Sequence, residues 1–313
     1  MDRMICIAGP TASGKTDLAV ALAVALDGEV VSCDSMQVYR RMDIGTAKPT
    51  PEERRGVPHH MLDVVEPDEG MSVGKFVDLA APVVQDILAR GKVAILAGGT
   101  GLYMDALVRG HDFAPTADRE LRRELQAWVR QAGGEALLEE LRKVDPETAA
   151  RLHPADEKRL IRALEVYRLT GKTITQHNLE TQAAPAKYRP CWLGLDFADR
   201  GELYRRIDLR VDRMMQRGLL EEIRGLLAEG VPADATALQA IGYKEFLAAL
   251  EGRCTVQEAA EMVKKASRHY AKRQLTWFRR NQAISWIHRR ASEDFSQLWE
   301  RAVAEIPFFD TAW

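Results

Sequence analysis

Apolar residues arrive along the first hundred positions in short runs separated by polar and glycine-rich stretches. MICIA at 4–8, EVVSCD at 29–34 and KVAILAGG at 92–99 are rich in strand formers, and runs of that length predict buried strands. KTDLAVALAVAL at 15–26 is long enough to predict a helix between the first two. Strands alternating with helices predict a parallel α/β sheet, in which ligands gather beyond the carboxyl ends of the strands. Gly9 to Thr16, Asp34 and Thr100 then share one rim.

From Thr116 the pattern changes. Leu121, Leu125, Trp128 and Val129 recur at helical spacing, Gly133-Gly134 interrupts, and Asp145-Pro146 and Asp156 open further helices. Strand character returns only at CWLGLDF, 191–197, so residues 116–189 read as a helical insertion into one α/β core formed by 1–115 and 190–313. A long helix is predicted from Leu203 to Leu227, followed by two more through about Arg280. The last twenty residues carry little pattern.

Composition adds bounds. A chain of 313 residues that is 46% apolar can bury a sizeable core, and its net charge of −2 leaves any nucleic-acid partner to be argued from local charge. Four scattered cysteines, Cys6, Cys33, Cys191 and Cys254, form no C-x-x-C pair and predict a reducing, cytoplasmic setting without a structural metal. LAVALAVAL is the longest apolar stretch, far below the roughly 20 residues a membrane span requires. The adjacent His59 and His60 would point to opposite sides of an extended segment, which disfavours a metal site.

GPTASGKT at 9–16 has the spacing G-x-x-x-x-G-K-[ST]. Glycines let backbone N–H groups face phosphate oxygens, the lysine neutralises their charge, and the hydroxyl reaches a magnesium ion. Following a predicted strand and opening a predicted helix, it makes the core a P-loop NTPase-like one. The loop specifies a diphosphate without specifying its owner, which is ordinarily ATP or another nucleotide. In many ATPases a neighbouring strand ends in an aspartate that helps hold magnesium; here VAIL runs into AGGTG instead. Asp34 is the carboxylate on the rim, suited to a water-mediated metal contact or to taking a proton, and equally suited to capping the next segment. Thr100 has the same ambiguity as a helix N-cap, and Arg210 by itself is one arginine among several on an amphipathic helix.

Several longer blocks remove the ambiguity. GPTASGKT, DSMQVYRRMDIGTAKP at 34–49, PHHMLD at 58–63, GGTGLY at 98–103, KRLIRALEVY at 158–167, IGYKE at 241–245 and RHYAKRQLTWFR at 268–279 together resemble the bacterial tRNA dimethylallyltransferase family. They occur in order across the chain to about Arg280. The resemblance implies transfer of a dimethylallyl group from dimethylallyl diphosphate to the exocyclic N6 amine of the adenosine 3′ of the anticodon, in tRNAs reading codons that begin with U, with release of diphosphate. It implies that Asp34 takes the amine proton, that Thr100 lies beside the reacting amine, and that Arg210 clamps the diphosphate. Gly9, Pro10, Thr11, Ala12, Ser13, Gly14, Lys15 and Thr16 would hold the diphosphate, with Mg2+ at Thr16.

The same resemblance assigns the tRNA. Asp34, Ser35, Met36, Gln37 and Thr100, with Gln239, Ala240, Ile241, Gly242, Tyr243 and Lys244, would receive the adenine. Arg122 and the run Lys158, Arg159, Leu160, Ile161 and Arg162 would meet the anticodon stem-loop, although the family more often has glutamine where Lys158 stands. Independently, nine lysines and arginines and no acidic residue fall between Lys264 and Arg290, interleaved with Tyr270, Trp277, Phe278 and Trp286. That is the footprint of a phosphate-backbone surface, or of basic helices packed on a core by their aromatics. The chain is expected to act as a monomer with no membrane anchor. Three rivals remain at this level: a small-molecule kinase, a prenyltransferase acting on free adenosine nucleotides, and a non-catalytic RNA-binding protein with a relic loop.

Overall fold

Alternation along the first strand fixes the two faces of the sheet. Ile5 and Ile7 of β1 (Met4–Ala8) point into one apolar cluster, while Met4, Cys6 and Ala8 point into another. The computed structural model describes residues 2–111, 118–183 and 185–309. They form two compact units, Met1–Gly110 with Lys187–Trp313, and His111–Ala186.

In the first unit β1 is followed by α1 (Lys15–Leu26), β2 (Gly28–Ser32), α2 (Pro51–Arg54), β3 (His59–His60), α3 (Val73–Ala89), β4 (Val93–Ala97) and α4 (Gly101–Arg109). The regular elements of the second unit's described residues are all helices, α5 (Arg119–Val144), α6 (Pro146–Ala149), α7 (Glu157–Thr170) and α8 (Ile174–Ala183). The chain then rejoins the first unit as β5 (Cys191–Phe197), α9 (Arg200–Gln216), α10 (Leu219–Ala228), α11 (Tyr243–Leu250), α12 (Val256–Phe278), β6 (Ile284–Arg289) and α13 (Phe295–Ala304). The six strands form one parallel sheet in the order β3-β2-β4-β1-β5-β6. Because β2, β4 and β1 are neighbours, the loops leaving their carboxyl ends emerge side by side.

The second unit has its own core, in which Leu125, Leu137, Leu141, Leu160 and Leu164 are buried. Gly133 breaks α5 with φ 78, and a β-carbon on Gly134 would lie 2.0 Å from Pro154 O, so the glycine pair both turns the chain and admits a close approach. Asp145 caps α6 through Thr148 N at 3.1 Å and also accepts from the Thr175 hydroxyl at 2.6 Å.

Several expectations need adjustment. The predicted boundary at 115/116, and Thr116 itself, lie outside the described residues. The other boundary was placed at 189/190, yet Lys187 N and Tyr188 N already bond Arg109 O and Val108 O, which binds them to the core. β2 stops at Ser32, two residues before Asp34. The helix predicted over 203–227 is two helices, because Gly218 adopts φ 95 between α9 and α10. The C-terminal stretch holds β6 and α13. The polar and basic residues of ISWIHR conceal a strand whose ladder to β5 exists only in the folded chain.

Candidate functional site

The three loops at the carboxyl ends of β1, β2 and β4 converge with α9, α11 and α12 on a cavity of about 410 Å³, wholly within the first unit. Thr11, Lys15, Thr16, Asp34, Ser35, Met36, Gln37, Arg210 and the whole run Gln239 to Lys244 line it. Residues distant in sequence thus meet in one place, as sheet order and helix packing dictate.

The glycine-rich loop at 9–16 is shaped by backbone that only certain residues tolerate. Gly9 has φ 149 and Gly14 φ 91, and Ala12 is held at φ 62, a left-handed value costly for a residue with a β-carbon. A β-carbon at Gly9 would lie 2.5 Å from Leu195 O. Helix α1 begins at Lys15 with Gly14 as its N-cap and no side-chain capping bond, leaving its first-turn amides and the positive end of its dipole for an anion. Arg289 supports the loop from behind: its guanidinium donates to Ser13 O at 2.9 Å and lies over the Phe197 ring. Of the loop residues, Thr11, Lys15 and Thr16 face the cavity, whereas Pro10 offers its carbonyl to Lys15 Nζ at 2.7 Å and the Ser13 side chain is fully buried. Thr11 N is turned to Gln274 Oε1 at 2.9 Å, so this amide is not among the donors facing a phosphate.

Two cations and one carboxylate set the field. Burial, together with the neighbouring Arg210 charge, pushes the Lys15 ammonium down to about 7, against the opposing pull of Asp34. Arg210 is lowered by burial and held up by Asp34 and Glu53; its guanidinium donates to Thr46 O at 3.4 Å. Two crowded cations without a full complement of carboxylates form a site that gains by receiving an anion. Asp34 is half-buried, with Oδ1 accepting from Met36 N at 2.9 Å. Thr100 occupies the N-cap position of α4 but makes no capping bond there. Its hydroxyl oxygen instead accepts from Ser35 N at 3.0 Å, beside Asp34.

The cavity wall formed by the 37–47 segment and Tyr243 is built by hydrogen bonds between segments. Gln37 donates to Thr46 O and Ala47 O at 3.3 and 3.1 Å and accepts from the Ser32 hydroxyl at 2.9 Å. Glu222 of α10 accepts from the amides of Asp43, Ile44 and Gly45 at 2.8, 2.7 and 3.1 Å and from the Tyr243 hydroxyl at 2.7 Å. A β-carbon at Gly45 would meet the Tyr243 ring at 2.5 Å. The opposite wall is apolar, with Ile207, Val211 and Met214 of α9 facing Val263 of α12.

The RNA assignments fare unevenly. Lys158 and Arg159 are exposed on α7. Leu160 and Ile161 are buried, at 0% and 7% exposure, in the core of the second unit; helical spacing turns them inward, which corrects the expectation that their side chains meet RNA. Arg122 and Arg162 converge on the buried Glu165 carboxylate at 2.8 and 3.0 Å. The cationic stretch 264–290 is also less uniform than its sequence. Lys264 pairs with Asp212 and Glu261, Arg268 with Asp208, Arg279 with Asp196, and Arg289 is buried under the phosphate loop. Asp208 and Asp212 come from α9 and Asp196 from β5, so packing supplies acidic partners that the 264–290 stretch lacks. Lys265, Lys272, Arg273, Arg280 and Arg290 form no ion pair among the described residues and are exposed.

Sequence reasoning missed Tyr270, Arg273 and Gln274 as cavity residues. The signal was present: Ser267, Tyr270 and Gln274 recur at helical spacing beyond Val263, so a polar stripe continues the inner face of α12. No helix among the described residues is long and apolar enough to cross a membrane, and all four cysteines are free.

A model of the IPP transferase family matches residues 37–281. The chain is 50% identical over 285 residues to tRNA dimethylallyltransferase 2 of Geotalea uraniireducens (strain Rf4), covering 91% of this chain and 92% of that protein. It is 49% identical over 292 residues to the tRNA dimethylallyltransferase of Geobacter sulfurreducens, covering 93% and 94%. Among solved structures it is similar to the full-length tRNA isopentenylpyrophosphate transferase of Bacillus halodurans, with a TM-score of 0.72, 42% identity and 99% of both chains covered. It is also similar to a eukaryotic dimethylallyltransferase captured acting on tRNA, with a TM-score of 0.85, 32% identity, and 99% of this chain and 80% of that one covered.

Proposed function

This chain belongs to the IPP transferase family, and from that premise we propose that it transfers a dimethylallyl group from dimethylallyl diphosphate to tRNA. The acceptor is the exocyclic N6 amine of the adenosine 3′ of the anticodon in tRNAs reading codons that begin with U. The observation that carries this reading is that Lys15, Thr16, Arg210 and Asp34 line one and the same cavity.

In the reaction the allylic C1–O bond to diphosphate breaks, an N6–C1 bond forms, the electron pair leaves with diphosphate, and the amine proton goes to Asp34. The exocyclic amine is a weak nucleophile because its lone pair is delocalised into the ring, so a base within the cavity matters. Lys15, Arg210 and the first-turn amides of α1 neutralise the charge that develops on the leaving group. Thr100 is placed by Ser35 to orient the amine beside Asp34. The adenine must leave the anticodon-loop stack, which costs a few kcal/mol, less for an unpaired base.

The donor set fits magnesium. The cavity offers the Thr16 hydroxyl and the Asp34 carboxylate, and no group of three or more His, Cys, Asp or Glu residues that could hold a metal occurs among the described residues. Magnesium keeps several waters and takes few protein ligands beside phosphate oxygens. Thr16, with Asp34 nearby in the lining, would hold the ion, and the ion would supply positive charge to the diphosphate. Work in a reducing cytoplasm is consistent with four free cysteines.

The test is a transfer assay with radiolabelled dimethylallyl diphosphate, magnesium, unmodified tRNA and, in parallel, free AMP. Label in tRNA alone is the expected outcome. Label in AMP points to a nucleotide-level prenyltransferase, and ATP hydrolysis without label transfer returns the loop to the kinases.

A further inference from the structure

Transfer requires two sides of the cavity to meet at a fixed distance, and one side chain spans them. Gln274 of α12 is buried, at 5% exposure. Its Oε1 accepts from Thr11 N at 2.9 Å in the diphosphate loop, and its Nε2 donates to Gly99 O at 2.9 Å. Gly99 precedes Thr100, whose hydroxyl accepts from Ser35 N at 3.0 Å, next to Asp34. One turn earlier on the same helix, Tyr270 lines the same cavity. A line of polar contacts therefore runs from the diphosphate loop to the carboxylate side of the cavity.

The chemistry of the strut is specific. It needs an acceptor at one end, a donor at the other, and no charge beside a diphosphate. Only a carboxamide offers this without a titratable proton, and glutamine has one methylene more of reach than asparagine. The glycine opposite is part of the same device: a β-carbon at Gly99 would lie 2.0 Å from Gln274 Nε2. A glutamine that merely satisfied two stray backbone groups would affect stability alone. This one joins the two loops that carry the leaving group and the acceptor.

Resting on the tRNA prenyltransferase reading, we propose that Gln274 is a positioning residue for the transfer step. It sets the separation of the diphosphate loop from the Asp34–Thr100 side, so that the attacking amine and the allylic carbon are held at reacting distance. Misplacement by about 1 Å can cost on the order of a hundredfold in rate.

Two variants test this in the full-length protein. Gln274→Met keeps similar bulk and removes both hydrogen bonds; kcat is expected to fall by about a hundredfold, while KM for tRNA and Kd for inorganic diphosphate stay within about threefold, a loss confined to geometry in the transition state. Gln274→Glu reproduces both bonds only when protonated, one oxygen accepting from Thr11 N and the hydroxyl donating to Gly99 O. Its kcat relative to wild type is therefore expected to be highest at low pH and to fall as the carboxyl ionises. A folded Gln274→Met protein with wild-type kcat overturns the proposal, as does a Gln274→Glu/wild-type kcat ratio that is flat with pH. If the methionine variant does not fold, the pH profile of the glutamate variant decides alone. The wild-type reaction is read first: absence of transfer to tRNA overturns the parent reading and the strut with it, whereas transfer with indifferent variants overturns the strut only.

Discussion

Lys15 shows how a single residue can be poor for the fold and suited to receiving an anion. Its ammonium is pushed down to about 7 in the free protein. A lysine whose folded value lies below its ordinary one costs stability fully below pH 7, and the cost fades as pH rises towards 10.5. Lys15→Met is therefore expected to melt roughly 2–4 °C higher than wild type near neutral pH, about 1 kcal/mol, with the gain shrinking by pH 10. It should lose both transfer and the wild-type rise in Tm on adding inorganic diphosphate; differential scanning fluorimetry across pH reads all three. Asp34→Asn is expected to lower kcat by about 10²–10⁴-fold while tRNA affinity holds, because phosphate contacts position RNA and the carboxylate acts on the proton. Loss of tRNA binding by a folded Asp34→Asn protein would count against the base role. Glu29 runs the other way from Lys15. Bidentate Arg90, with His60, holds this buried carboxylate down at about 2, so its stabilisation is present above pH 4.5 and is lost as pH falls towards 2. Glu29→Gln should cost about 2 kcal/mol at pH 7, and urea titrations should show the difference closing near pH 2–3.

Between elements, the site depends on one helix ordering a distant loop. Glu222 of α10 collects three consecutive amides of the 43–45 segment and the Tyr243 hydroxyl, and Gly45 to Ala47 then line the cavity. Charge-assisted bonds of this kind are individually strong, and their removal strands backbone donors. Glu222→Ala is expected to destabilise the protein by about 2–3 kcal/mol and to release the Asp43, Ile44 and Gly45 amides to faster hydrogen exchange. Unchanged exchange at those three amides would mean that the loop orders itself. β1, α1 and β5 stand where apolar runs predict them, because those segments are buried and uniform. The break at Gly218 went unread because helical periodicity continues on both sides of it. Strand β6 was hidden because it pairs along one edge only and carries polar and basic residues.

At the scale of the whole molecule, two units with separate cores share one chain. The first unit is closed by its own backbone where the second departs: Lys187 N bonds Arg109 O, and Tyr188 N bonds Val108 O. Replacing residues 111–186 by a short Gly/Ser link is therefore expected to leave a folded protein that still gains Tm with inorganic diphosphate. Its affinity for tRNA should fall at least about tenfold, with a shallower salt dependence as phosphate contacts are removed. Retention of full tRNA affinity after the deletion would place recognition in the first unit alone.

Sequence by itself determined the parallel α/β core, the glycine-rich turn between β1 and α1, the helical character of the insertion and the blocks that identify the family. Each is written locally, in strand-length apolar runs, glycine spacing or contiguous motifs. Only tertiary structure decided which cations stay free. Asp208 and Asp212 reach Arg268 and Lys264 from another helix, and Arg289 leaves the surface to brace Ser13. Tertiary structure alone also brought Gln274 between Thr11 and Gly99, separated in sequence by more than 170 residues from each. Periodicity records which face of an element is buried, whereas the partner that face meets is set by the order of the strands and the packing of helices upon them.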